Sequence, residues 1–154
     1  MAAMSLQVPP QYQTPEMRGR IALIAGSHAR LTGRQLIDSG PDPVAALWNA
    51  PLAVVAHGTE ADPLFFFGNR AALEAFGARL DQFISMPSRL SAEAPDRTER
   101  QALLDRVSAQ GFIDDYAGMR VRLDGERFRI DNATVWNLID EAGVRHGQAA
   151  AFAV

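Results

Sequence analysis

Residues 49–77, NAPLAVVAHGTEADPLFFFGNRAALEAFG, read as strand, tight connection, strand and capped helix in unbroken order. The apolar run 52–56 has strand character, and the Gly, Asp and Pro of 58–63 supply turn chemistry. The aromatic run 64–67 is a second strand. Asn69 stands where a helix needs a side-chain acceptor for its first free N–H groups, and Gly77 stands where the helix must end in a left-handed residue.

Upstream, residues 1–13 are polar and proline-bearing and are expected to form a flexible tail. Thr14 can cap a helix with Pro15 at its first position and Glu16 near its positive end. Met17, Ile21, Ile24, His28 and Leu31 follow at helical spacing, so 14–40 is a helical extension preceding the domain proper, 41–154. The helix continues or restarts from Thr32 toward Ile37 before the break at 38–43. Gly19, Gly26 and Gly33 share one face at heptad spacing, which permits a close helix contact at a cost of about 1 kcal/mol each relative to alanine.

Downstream, 44–49 is a short helical lead-in. Residues 80–86 make one more helical turn with Leu80, Phe83 and Ile84 inward, ended by Pro87. Asp96 and Glu99 have capping-box spacing for a helix that buries Leu103, Leu104 and Val107 and runs to Gly111. The remainder is strand: 112–123, a two-residue turn at Asp124-Gly125, 126–139, a turn through Glu141 and Gly143, and a last strand to Val154. This order predicts an α+β domain, a five-stranded antiparallel sheet with helices over one face. Unless a bulge intervenes, Phe128, Ile130, Asn132, Thr134, Trp136 and Leu138 share its inner face. Arg120 and Arg122 then sit across the hairpin from Arg127 and Arg129 as a basic patch on the outer side.

The opening block is the kind of phrase that many PAS domains carry. HGTEADPLFFFGNRAALEAF, PSRLSAEA, GFIDDYAGMRVRLDGERFRI and ATVWNLIDEAGVRHGQAAAF, in this order, resemble the MEKHA family. This is a PAS-like domain found in bacterial proteins and at the end of some plant transcription factors, and the resemblance implies the bacterial stand-alone type. The resemblance implies a PAS-like sheet and brings no defined reaction.

The chain has 154 residues, enough for one domain that buries about two-thirds of its unfolded surface. No run approaches the roughly twenty apolar residues of a membrane span, and residues 1–13 show no basic region followed by an apolar core, so a cytoplasmic protein is expected. Cysteine is absent, which excludes disulfides, thiolate metal sites and the cysteinyl–flavin adduct of light-sensing PAS relatives. Lysine is absent too, which excludes a Schiff base. A net charge of −3 makes autonomous nucleic-acid binding a poor expectation.

Polar residues among the strands are the candidate ligand contacts. Asn132 and Thr134, between Ile130 and Trp136, must be satisfied by helix backbone, by water or by a ligand. Trp136 is either core or a stacking surface for a ring. Gln148 shares parity with Ala150 and Phe152, beside a small-residue face of Gly147, Ala149, Ala151 and Ala153 that suits a helix or a planar cofactor. Arg89 suits a carboxylate or phosphate, or else an ion pair with Glu93 or Asp114 or the carbonyls near Met86. Tyr116 follows Asp114 and Asp115, only one of which can face a pocket. His57, with Glu60 and Asp62, either makes a small site or stabilises a turn.

No metal-ligand spacing, G-x-S-x-G elbow, phosphate loop or axial haem ligand is present, so no catalytic motif and no identifiable cofactor emerge. The leading expectation is a sensory, signal-input module. It binds a small polar or anionic ligand or cofactor and acts through a homodimer or another protein partner, with the N-terminal helix as lever. The alternatives are a ligand-free interaction domain, and a small acid/base enzyme using Asp114 or His57 near Arg89.

Overall fold

The computed structural model describes residues 7–38, 40–91 and 97–154. Its helices are α1 (Pro15–Thr32), α2 (Pro43–Asn49), α3 (Arg70–Phe76), α4 (Leu80–Phe83) and α5 (Arg97–Gln110). Its strands are β1 (Ala53–His57), β2 (Phe65–Gly68), β3 (Phe112–Val121), β4 (Arg127–Ile139) and β5 (Arg145–Phe152). The strands form one antiparallel sheet in the order β2-β1-β5-β4-β3, with the last strand at its centre. The expected α+β architecture is the observed one. Asp96, the cap of the expected Asp96–Glu99 capping box, lies outside the described residues.

Asn69 organises the opening unit. Its Oδ1 accepts from the amides of Ala72 and Val54, each at 3.0 Å, so it caps α3 and tethers β1 together. Its Nδ2 donates to the carbonyls of Leu47 at 3.0 Å and Leu52 at 2.9 Å, which ties α2 to the same point. Buried completely, this amide is a structural hub. Gly77 ends α3 in the left-handed region, as its position predicts.

The N-terminal segment is ordered earlier than its composition suggests. Residues Pro10–Tyr12 form a 3-10 turn, and Tyr12 is buried against Trp48 and Phe67. Its hydroxyl accepts from the Gly68 amide at 3.1 Å and donates to the Gly68 carbonyl at 3.2 Å. Burial raises the pKa of this phenol, which keeps it a donor. The flexible-tail expectation for 1–13 is therefore corrected at Tyr12.

Helix α1 begins at the expected Thr14 cap and ends at Gly33, whose φ of 71° closes it; it does not run on toward Ile37. It lies on the face of the sheet opposite α3 and α5. Ile21 and Ile24 are buried, and the indole N–H of Trp136 donates to the Ile24 carbonyl at 3.0 Å. Ser27 Oγ donates to the Ile139 carbonyl at 3.0 Å and accepts from the Ile139 amide at 2.8 Å. The other face of α1, with Gly19 and Gly26, borders an open groove against Asp140, Glu141 and Ala142. A Cβ built on Gly19 would meet no atom, so that glycine serves no contact within the described chain.

The β3–β4 hairpin corrects two expectations. Val121 pairs with Arg127 and Arg120 with Phe128, and the Arg122 amide donates to the Glu126 carbonyl at 2.8 Å, so the loop closed by that bond holds the three residues 123–125, with Gly125 at φ 90°, instead of two. A shift of one residue exchanges every facing partner. Arg120 and Arg122 consequently turn toward the helices: Arg122 donates to the Ala75 carbonyl at 2.8 Å and the Glu74 carbonyl at 3.3 Å, capping the C-terminus of α3. Arg129 pairs with Asp131, and the basic patch is not formed.

Two bulges then redistribute the side chains. Gly118 pairs with Ile130 but Tyr116 with Ala133, which sets Asp131 and Asn132 against a single residue of β3. Asn132 takes φ 52°, a left-handed value that asparagine tolerates better than most residues. Tyr116 pairs with Ala133 but Ile113 with Val135, so Asp114 and Asp115 form the second bulge on β3. Before the first bulge Phe128 meets Phe76 and Phe152; after it Val135 packs with Ile113 and Val107 of α5. The expected single inner face from Phe128 to Leu138 is thus divided. Trp136 lies on the α1 side.

Candidate functional site

The cup between the sheet and α3–α5 is lined by aromatic residues. Phe65 stacks on Phe83 with ring centroids 4.3 Å apart, and Phe76 touches Phe83, Phe128 and Phe152. Toward the hairpin, the Arg120 guanidinium lies 5.3 Å above the Tyr116 ring and donates to the phenol oxygen at 3.2 Å. Burial lowers the pKa of Arg120. At the other end of the sheet, His57 and Gln148 are cross-strand partners. His57 Nδ1 contacts the Gly58 carbonyl at 3.0 Å, and burial first, then Arg145, depresses its pKa. Gly147 lets β5 approach β1 here, because a Cβ would collide with the His57 carbonyl.

A second concavity, open and about 280 Å³, lies on the opposite side where α1 ends. The helix end and the segment after it contribute His28, Arg34, Gln35 and Leu36; the bulged strands contribute Asp114, Asn132 and Thr134. Asn132 and Thr134 are therefore brought together as expected, but outside the cup, since the Asp131–Asn132 bulge carries them to the α1 side. His28 Nδ1 lies 3.1 Å from the Arg34 carbonyl, and Thr32 Oγ1 accepts from the Arg34 amide at 3.1 Å while donating to the His28 carbonyl at 2.7 Å. These bonds fix the turn that presents Arg34. Burial lowers the pKa of His28, so its ring is neutral near pH 7. Arg34 Nη2 reaches Asp114 Oδ2 at 3.3 Å, with both side chains more than half exposed.

Trp136 adjoins this pocket. Its ring meets the edge of His28 at a centroid distance of 4.9 Å, and its N–H is committed to Ile24, so it is core beneath α1 with no face toward the cup. Arg89 is on the surface, its Nε 3.1 Å from Asp62, a different ion pair from those anticipated; Glu93 lies outside the described residues. Asp114 and Asp115 point opposite ways, to Arg34 and to Arg106 of α5. The sequence-derived candidates thus occupy separate places: Tyr116 under Arg120, His57 with Gln148, Asn132 with Thr134, and Arg89 alone with Asp62. The acid/base grouping of Asp114, His57 and Arg89 is not assembled, since Asp114 pairs with Arg34, His57 with Gln148 and Arg89 with Asp62.

Sequence reasoning did not include Arg34, Gln35 or Leu36 among site residues, because they read as a helix tail before a break. Gly33 followed by polar residues was the available signal that the helix ends and the chain turns back. Among the described residues no cluster of three or more His, Cys, Asp or Glu could hold a metal ion, and no helix is long and apolar enough to cross a membrane.

Comparison with known proteins agrees with this architecture. The family model of the MEKHLA domain, the family written MEKHA above, matches residues 18–154 and so takes in most of α1. The homeobox-leucine zipper protein ATHB-9 of Arabidopsis thaliana is 26% identical over 153 residues; the match covers 92% of this chain and 18% of that protein. A PAS domain from Colwellia psychrerythraea superposes with a TM-score of 0.57 at 17% identity, over 69% of this chain and 87% of the other. The fungal blue-light photoreceptor Vivid, in its light-state dimer, gives 0.60 at 11% identity, over 92% and 96% of the two chains. At such identities the likeness is one of fold.

Proposed function

The chain belongs to the MEKHLA domain family, and from that premise we propose that it is a PAS-like signal-input module. It binds a small polar ligand and passes occupancy to a second copy or another protein through α1. The observation that carries this reading is the seat of α1: Trp136 holds the helix through Ile24 and touches His28, which also lines the polar pocket. A ligand contacting His28 acts directly on the side chain that packs the helix against the sheet. The light-state dimer of Vivid, which shares this fold, supports association as the output. No reaction is assigned to the chain.

The aromatic filling of the cup favours a second reading, a ligand-free interaction domain, since Phe65, Phe76, Phe83, Phe128 and Phe152 occupy the space between sheet and helices that the described residues enclose. Native mass spectrometry of protein isolated from its own host, followed by hydrogen exchange of α1 with and without the retained molecule, separates the two. The sensor reading expects a bound small molecule and altered exchange in α1. Protein that carries nothing, and whose α1 exchange is indifferent to a host metabolite extract, would establish the second reading instead.

A further inference from the structure

Resting on the signal-input reading, we propose that the pocket at the end of α1 binds a small α-amino acid as its zwitterion, with the carboxylate on Arg34 and the ammonium group on Asp114 and the Asn132 amide oxygen. The charges decide the class. Arg34 and Asp114 are adjacent and cancel, so a lone anion meets the Asp114 carboxylate and a lone cation meets the guanidinium. A zwitterion inserts into the pair and satisfies both halves. Opening the pair costs little, because exposed ion pairs of this kind contribute little to stability.

The remaining walls fit such a ligand. Asn132, Thr134 and Gln35 present an amide, a hydroxyl and a second amide, none engaged in a hydrogen bond with the described protein, while Leu36 supplies a single apolar wall. Amides and a hydroxyl offer both donors and acceptors, suiting a short polar side chain. At about 280 Å³ the open pocket lies just below the usual range of ligand sites, which suits a small ligand better than a flavin or a haem.

The backbone is specialised where the pocket needs it. Two bulges on neighbouring strands bring Asp114 and Asn132 to the same spot, and bulges commonly re-aim side chains beside functional sites. Asn132 holds a left-handed φ of 52° in which glycine would be less strained. Keeping a side chain there is explained if its amide contacts a ligand.

The test uses the full chain with the twenty standard amino acids, scored by thermal shift and titration calorimetry. The expected result is binding by one or a few small polar amino acids. Affinity falls at least tenfold in each of Arg34→Gln, Asp114→Asn and Asn132→Gly. The matching amine without its carboxylate and the matching acid without its ammonium group bind at least tenfold more weakly. Asn132→Gly keeps the fold, since glycine suits that backbone, so its loss of binding is not a loss of structure. A host metabolite that binds the wild type and the three variants equally overturns this pocket while leaving the signal-input reading standing. Absence of binding by amino acids and by host extract alike overturns both.

Discussion

Asn69→Ala tests whether one amide holds the opening of the domain together. The substitution removes the acceptor for Val54 N and Ala72 N and the donor to Leu52 O, while Leu47 O keeps the Ala50 amide at 3.3 Å. An orphaned buried group costs about 1–3 kcal/mol. The two amides alone therefore give roughly 2–6 kcal/mol, and a loss of about 4 kcal/mol is expected from a fold whose total stability is of order 5–15 kcal/mol. Urea unfolding followed by the fluorescence of Trp48 and Trp136, both buried, reads it. With a slope of about 2 kcal/mol/M the midpoint moves down by about 2 M at unchanged slope. Asn69→Asp retains both acceptor positions but sets a carboxylate against the Leu47 and Leu52 carbonyls, and is not expected to rescue. A loss under about 1.5 kcal/mol in the alanine variant, or native stability in the aspartate variant, would refute the hub assignment.

Three further outcomes are expected. Ser27→Ala strips the Ile139 amide of the Ser27 hydroxyl and should cost about 1–3 kcal/mol, with faster hydrogen exchange concentrated in α1; exchange raised equally throughout would contradict a local seat. Arg122→Met removes the donor to the last carbonyls of α3 and should cost about 1 kcal/mol, read as a lowered melting temperature, and no change would show the cap to be idle. His28 and His57 are held below their ordinary 6.5 by burial, so the unfolded chain takes up protons there before the folded one does. Stability should fall as pH drops through 6.5 and level off below the lowered folded values. Asp42 and Glu60, held down chiefly by the amides of Ala45 and Leu64, lose their contribution only in the more acidic range below 3.8 and 4.5. A His28→Gln, His57→Gln double variant should flatten the upper window alone, as unfolding curves at stepped pH would register.

The five strands, their order along the chain and the Asn69 cap were legible because each rests on local chemistry: apolar runs of strand length, turn residues between them, and a polar cap before an apolar helix. The candidate site was legible residue by residue but not as a place. Strand parity assumes an unbroken pleat, and two bulges break it without interrupting the apolar pattern, since Val135 and Trp136 are both apolar and face opposite layers. The neighbouring polar pair Asp131-Asn132 was the one sign of the first bulge. The hairpin was misread by a residue because Asp-Gly serves a two-residue turn and a three-residue loop equally well. Tyr12 was hidden by its proline-rich surroundings, and only tertiary contact reveals its burial.

The Tyr12 hydroxyl has a consequence for how the molecule meets other chains. Strand β2 is the last of the sheet, and its outward backbone groups are a template on which any extended peptide could add a strand. Tyr12 occupies both such groups of Gly68, and the chain's own 85–86 segment takes those of Phe65, with the Ser85 amide on its carbonyl at 2.9 Å and its amide on the Met86 carbonyl at 3.0 Å. This border of the sheet is sealed from within. Replacing the Tyr12 phenol by phenylalanine would keep the ring over Gly68 but leave both of its backbone groups without a partner, which loosens the seal at this point.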